Sequence, residues 1–159
     1  MNVDFINPFL SAAIEVLKTM AFIEVTPGKP FVKTGERAQG DISGLIGITG
    51  PCIGSMSLTF SRSCILKIVS TMLGEEFTEI NEDIKDAVGE LTNMIAGVAR
   101  NTLGNVGLKF KASIPMVVTG PSHEIKHKCE CPIIGIPFDT NAGSFLVEVA
   151  GFKKQDGVV

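Results

Sequence analysis

The sequence predicts a single α/β domain, and three observations carry that expectation. Two segments repeat apolar residues at helical spacing just after the N-cap signals Asn7 and Asn81. The stretches between and after them read as strands that turn at Gly50-Pro51 and at Asp139-Thr140-Asn141-Ala142-Gly143. The chain has 159 residues, 45% hydrophobic and 19% charged, with a mean hydropathy of +0.32. That composition suits one core, burying roughly 70% of the unfolded chain's surface, and excludes disorder as the dominant state.

The first helix is expected to open at Asn7, with Pro8 at the first helical position, and to run through Val25. Phe9, Ala13, Val16, Met20 and Ile23 form its apolar stripe. After Pro27 and Gly28 come the extended FVKT, then DISGLIGITG and IGSMSLTF, a hairpin about Gly50-Pro51. A second helix follows from Ser61 to a C′ glycine at Gly74. Asn81 caps a third, with Glu82 and Asp83 in its first turn where the helix dipole favours acids, running to about Leu103. Its stripe is Ile84, Val88, Leu91, Ile95 and Val98. LKFKASI, MVVT, EIKHKCECPIIGIPF and SFLVEVA then read as strands.

Composition narrows the function classes. A net charge of −3 and the absence of Trp and Tyr speak against a binder of phosphate backbones or stacked bases. No apolar run is long enough to span a bilayer and the N-terminus lacks a signal-peptide pattern, so a cytoplasmic chain is expected, with no membrane and no nucleic acid among its partners. In that setting the four cysteines read as reduced thiols. Cys52 and Cys64 lack an activating neighbour and read as structural. His123, His127, Cys129 and Cys131 share one strand parity, but on a straight strand the outer two would stand ~26 Å apart, so no metal site is assigned to them. The expected pattern there has Cys129, Cys131 and Ile133 facing the core while Glu124, Lys126, Lys128 and Glu130 face water. The five later methionines, Met20, Met56, Met72, Met94 and Met116, read mostly as core fillers, with Met94 at the edge of a docking surface.

The two main helices match at an offset of 75 residues, which brings Ser11, Glu15 and Lys18 onto Asp86, Glu90 and Asn93. Strands ending in a hairpin follow each. An internal duplication, approximately 7–74 and 81–152 within a single domain 1–159, is the natural reading.

On the third helix Asp86, Glu90 and Asn93 recur at i, i+4 and i+7 and point away from the apolar stripe. Gly89, Ala96 and Gly97 lie around them, and each glycine costs up to ~1 kcal/mol relative to alanine in a helix. Close approach of another backbone explains that cost. The plainer alternative is a solvated polar face with glycines packed near a loop.

These residues spell D86-x3-E90-x2-N93, within ELTNMIAG and followed by Pro115, and the pattern resembles the signature of the CheC/CheX/FliY family of chemotaxis phosphatases. The first helix carries a degenerate copy, S11-x3-E15-x2-K18, and a single intact motif is most similar to the CheX branch. The resemblance implies a layered sandwich of CheC-like fold, with a largely antiparallel sheet, long hairpins and two pseudo-symmetric motif helices packed side by side. It also implies hydrolysis of the acyl phosphate on phosphorylated CheY, a response regulator. Asn93 would orient the attacking water and Glu90 would pair with the regulator's active-site lysine, while Asp86, Gly89, Met94 and Gly97 would contact the partner. Mg²⁺ would come on the regulator and no cofactor on this chain. Lys18 cannot accept a hydrogen bond from water, so Ser11, Glu15 and Lys18 form no second site, and Glu15 and Lys18 suit a surface ion pair. A homodimer joined through sheet edges is implied, with SFLVEVA as an apolar edge needing cover. The alternative is a non-catalytic response-regulator-binding adaptor of the same fold, and a third class is a metal or redox sensor at His127, Cys129 and Cys131.

Overall fold

The computed structural model describes residues 3–35, 38, 40–121, 123–127 and 131–154. In chain order these form α1 (Val3–Ala21), β1 (Thr26–Pro27), β2 (Phe31–Lys33), β3 (Ile42–Thr49) and β4 (Cys52–Phe60). Then come α2 (Arg62–Leu73), α3 (Glu82–Gly104), β5 (Lys111–Ala112), β6 (Met116–Thr119), β7 (Ile133–Thr140) and β8 (Gly143–Lys154).

One antiparallel sheet carries all eight strands, in the order β1-β7-β8-β4-β3-β5, with β2 also on β7 and β6 also on β3. Two long hairpins, β3–β4 and β7–β8, lie side by side through β4 and β8, from Phe60 opposite Phe145 to Cys52 opposite Lys154. The short strands after each main helix pair with the other helix's hairpin, β1 and β2 with β7, β5 and β6 with β3.

Alternation along the strands sorts the two faces. Ile42, Ile46 and Ile48 on β3 and Met56, Leu58 and Phe60 on β4 are buried in the core cluster shared with the three helices. One rung stacks Phe60 on Phe145 at 5.2 Å and Phe145 on Phe138 at 5.0 Å between ring centroids, so these phenylalanines serve the core. The intervening residues Ser43, Ser55, Ser57, Thr59 and Glu148 face the other way, yet are buried too. Residues 123–127 cover part of that face and are pinned by both histidines. His123 donates from Nδ1 to the Gly120 carbonyl at 2.7 Å, and its Nε2 shares a hydrogen bond with Ser43 Oγ at 2.6 Å. His127 Nδ1 shares a 2.5 Å hydrogen bond with Ser55 Oγ. Lys33 reaches across to Glu148 at 2.9 Å, with side-chain exposures of only 6% and 0%.

Several sequence expectations change. α1 begins at Val3, with Pro8 inside it, and stops at Ala21 short of Val25. Pro8 forfeits only its bond to Asp4, one turn from the helix start, and tertiary packing of Ile6 and Phe9 outweighs that loss. Within EIKHKCECPIIGIPF the strand β7 begins at Ile133, while the described residues 125–127 are not strand and His127 bonds through its side chain to Ser55. Only Lys111 and Ala112 of LKFKASI are strand. SFLVEVA lies in β8, hydrogen-bonded on both sides, and is no edge. Met116 is 62% exposed and fills no core. Cys52 and Cys64 are buried, whereas Cys131 is disulfide-bonded, contrary to the expected reduced thiol. Glu124 and Lys126 do face solvent. The expectations for Cys129, Lys128 and Glu130 lie outside the described residues.

Other local signals hold. Ser61 Oγ accepts from the Cys64 amide at 3.3 Å to cap α2, and Gly74 ends it at φ 65° in the left-handed region. Among the described residues no helix is long and apolar enough to cross a membrane.

Candidate functional site on the outer face of α3

Asn81 opens α3 by accepting from the Ile84 amide at 3.1 Å, with Glu82 and Asp83 in the first turn. Its inward face is wider than the five-residue stripe. Ala87, Thr92, Ala96 and Ala99 are buried as well, so Ala96 belongs to the core and not to the outer surface.

What remains outside is a narrow strip. Asp86, Glu90 and Asn93 are exposed, and Gly89, Met94 and Gly97 flank them half-buried. At 1.5 Å rise per residue, Asp86 and Asn93 stand about 10 Å apart along the axis, with Glu90 between. Neither the two carboxylates nor the amide has a side-chain hydrogen bond or ion pair with any described residue, while neighbouring Lys85 pairs with Glu82 at 3.1 Å.

The glycines beside them are not demanded by this chain. A Cβ on Gly89 would meet only Val117 Cγ2 at 3.6 Å, an ordinary contact, and one on Gly97 only Arg100 Nη2 at 4.0 Å. Two helix-interior glycines thus forgo about 1 kcal/mol each of helical preference with no return from intrachain packing. They keep the surface low around Glu90 and Asn93.

Sequence reasoning missed the pair that seats α3. Thr92 is fully buried, donates to the Val88 carbonyl at 2.7 Å and lies directly over Gly44 of β3. A Cβ on Gly44 would overlap the Thr92 hydroxyl and come within 3.1 Å of Thr92 Cβ and 3.3 Å of Val88 Cγ1. Glycine there lets the helix settle on the strand, and Asn93 follows Thr92 directly, so this close approach fixes the height at which the amide leaves the surface. The signal available beforehand was a glycine inside an otherwise apolar strand.

On α1, Ser11, Glu15 and Lys18 are exposed in the same i, i+4, i+7 pattern. Glu15 and Lys18 form no ion pair within 4 Å, contrary to the expected one. The acid-rich strip is therefore on α3 alone.

Other reactive groups are closed off. Ser55, His127 and Glu148 follow one another, with His127 Nε2 3.4 Å from Glu148 Oε1, but all three are buried. Burial pushes the Cys64 thiol up to about 11 despite a Thr140 hydrogen bond that lowers it, so it holds almost no thiolate near neutrality. Among the described residues no three His, Cys, Asp or Glu side chains are placed to hold a metal ion.

A family model described as chemotaxis phosphatase CheX matches residues 42–139. The CheY-P phosphatase CheX of Thermotoga maritima is 32% identical over 127 residues, covering 79% of this chain and 82% of that protein. A CheC-like superfamily protein from Shewanella sp. PV-4 superposes with a TM-score of 0.90 at 47% identity, covering 96% of this chain and all of the other, 100%. CheX in the CheX–CheY–BeF3–Mg²⁺ complex from Borrelia burgdorferi superposes with a TM-score of 0.82 at 26% identity, again covering 96% and 100%.

Proposed function

The chain belongs to the CheX family of chemotaxis phosphatases, and from that premise we propose that it hydrolyses the aspartyl phosphate of a phosphorylated CheY-type response regulator. The observation that carries the proposal is the unpartnered Glu90 and Asn93 over a low, glycine-flanked helix surface. In this reading the regulator brings the acyl phosphate and a Mg²⁺ ion, in keeping with the Borrelia complex. Asn93 enters the regulator's site, its amide oxygen accepting from a water and its nitrogen donating to the phosphoryl oxygens. Water attacks phosphorus in line as the P–O bond to the aspartate breaks, releasing inorganic phosphate and a free carboxylate. Such a transition state needs positioning more than covalent help. Glu90 pairs with the regulator's active-site lysine and sets the docking angle. Asp86, Gly89, Met94 and Gly97 line the contact.

The purified chain is expected to speed loss of phosphate from a phosphorylated regulator. Glu90→Ala is expected to weaken both binding and turnover, by about tenfold or more for a desolvated charge pair. A wild-type chain that leaves the regulator's own dephosphorylation rate unchanged would exclude the phosphatase reading and favour the adaptor.

Two further readings concern architecture. The halves 7–74 and 81–152 are copies of one unit, a proposal supported by the reciprocal pairing of each half's short strands with the other's hairpin. The chain forms a homodimer through a sheet edge. With β8 central, the supporting edge is β2, where Phe31 is 41% and Val32 62% exposed. A monomer by light scattering at micromolar concentration would exclude that dimer.

A further inference from the structure

Phe22 follows the last residue of α1. It is 83% exposed, and among the described residues it is the one non-glycine side chain at positive φ, 54°. A bulky residue in the left-handed region is strained, and glycine is the usual occupant of this position after a helix. Burial elsewhere often repays such strain. Here the ring touches little, and the turn itself is held by the backbone, the Ile23 amide donating to the Leu17 carbonyl at 3.2 Å. Folding thus bears the cost of an unfavourable backbone at this residue, and with the ring exposed the chain's own packing does not return it.

Its position suggests what does. Phe22 stands one residue beyond α1, whose exposed residues include Ser11, Glu15 and Lys18. At the other end of α1, Phe5 meets Phe110 edge-on at 6.4 Å, and Asp4, Asn7, Pro8 and Ser11 share a groove with Thr102 and Leu103 of α3. α1 and α3 therefore lie antiparallel. With Ser11 and Thr102 lining the same groove, equal steps of about 1.5 Å per residue along the two helices carry Phe22 to the stretch of α3 that holds Glu90 and Asn93.

We infer that Phe22 is an anchor for the response regulator, inserting an aromatic ring into an apolar depression beside the regulator's phosphorylation site while Glu90 and Asn93 enter the site itself. The inference rests on the phosphatase reading and deepens it. Phe22 contacts no reacting atom and acts on affinity. A rigid aromatic ring buried at the edge of a polar contact is a common centre of binding energy. The left-handed backbone holds that ring clear of its own helix, so little ordering remains when the partner arrives.

The test exploits the strain. Phe22→Gly removes both the ring and the backbone penalty. It is expected to leave Tm unchanged or raised, to increase KM for the phosphorylated regulator at least fivefold, and to leave kcat within twofold of wild type. Phe22→Trp, which keeps an aromatic ring, is expected to hold KM within twofold. A Phe22→Gly chain with wild-type KM overturns the inference. So does one in which Tm and kcat fall together, the mark of a purely structural role. Affinity for the beryllofluoride-activated regulator is measured in parallel. If the wild-type chain proves inactive, the phosphatase reading falls on that result alone. The affinity arm still judges Phe22, weaker binding of Phe22→Gly supporting the anchor and equal binding overturning it.

Discussion

Asn93→Ala should abolish accelerated dephosphorylation of the regulator while the two proteins still bind. Loss of a group that positions an attacking water is expected to cost on the order of 100-fold or more in turnover. Asn93 lies on the surface of α3, engages no described residue and caps nothing, so its removal should leave Tm within about 1–2 °C, as for surface substitutions of ±0.5 kcal/mol. Stopped turnover with intact stability and retained affinity for the beryllofluoride-activated regulator would assign Asn93 to the chemistry. Equal rates for the variant and wild type would remove it. Asn93→Gln carries the same amide one methylene further out and is expected to recover little, because the height of the amide is set by the seat of Thr92 on Gly44.

Lys33→Met should have the largest effect on stability. It leaves the Glu148 carboxylate inside the sheet without its 2.9 Å partner, and breaking a buried pair from one side costs about 3–5 kcal/mol. In a domain of this length that lowers Tm by roughly 10 °C. The pH dependence carries a sign. Burial alone would raise the Glu148 carboxyl, but hydrogen bonds and charge from His127 and Lys33 outweigh it and hold the group below the ordinary carboxylate range. A depressed folded pKa means that this contribution is fully present above the unfolded value, about 4.3, and is lost as pH falls through the folded one. The gap in Tm between wild type and Lys33→Met should therefore be widest near neutrality and narrow on acidification. Lys33→Met/Glu148→Gln should regain much of the loss. A gap independent of pH, measured by calorimetry, would place the cost in packing instead.

The difference between these two residues also marks what the sequence makes legible. Asp86, Glu90 and Asn93 are readable because a helix imposes a fixed rotation per residue, so spacing alone assigns them to one face. Gly74 and Ser61 are readable for a similar reason, since caps act over three or four residues. Lys33 and Glu148 are not. They meet only because β2 crosses onto β7, and nothing local in FVKT or FLVEVA reports that pairing. His123 and His127 fit the parity of a strand, but their hydrogen bonds run to strands β3 and β4, so the parity held while the strand did not. Ala96 was placed outside by its small size, and the close packing of α3 placed it inside. Phe22 stood in a run that reads as continuous helix, and its left-handed backbone is a property of the turn rather than of the residue.

The reciprocal strand pairing has a kinetic consequence. The β3–β4 and β7–β8 hairpins are local and can zip early, as can the three helices. Joining the hairpins brings Phe60 to Phe145, residues more than half the chain apart, and the loop closure precedes its reward. α1 and α3 are far apart in sequence too, and the sheet that carries them is complete only after that step. The surface proposed to receive a regulator is thus among the last parts of the molecule to form. A nascent or half-folded chain would carry the whole D86-x3-E90-x2-N93 motif on a formed helix and still present no platform for a partner.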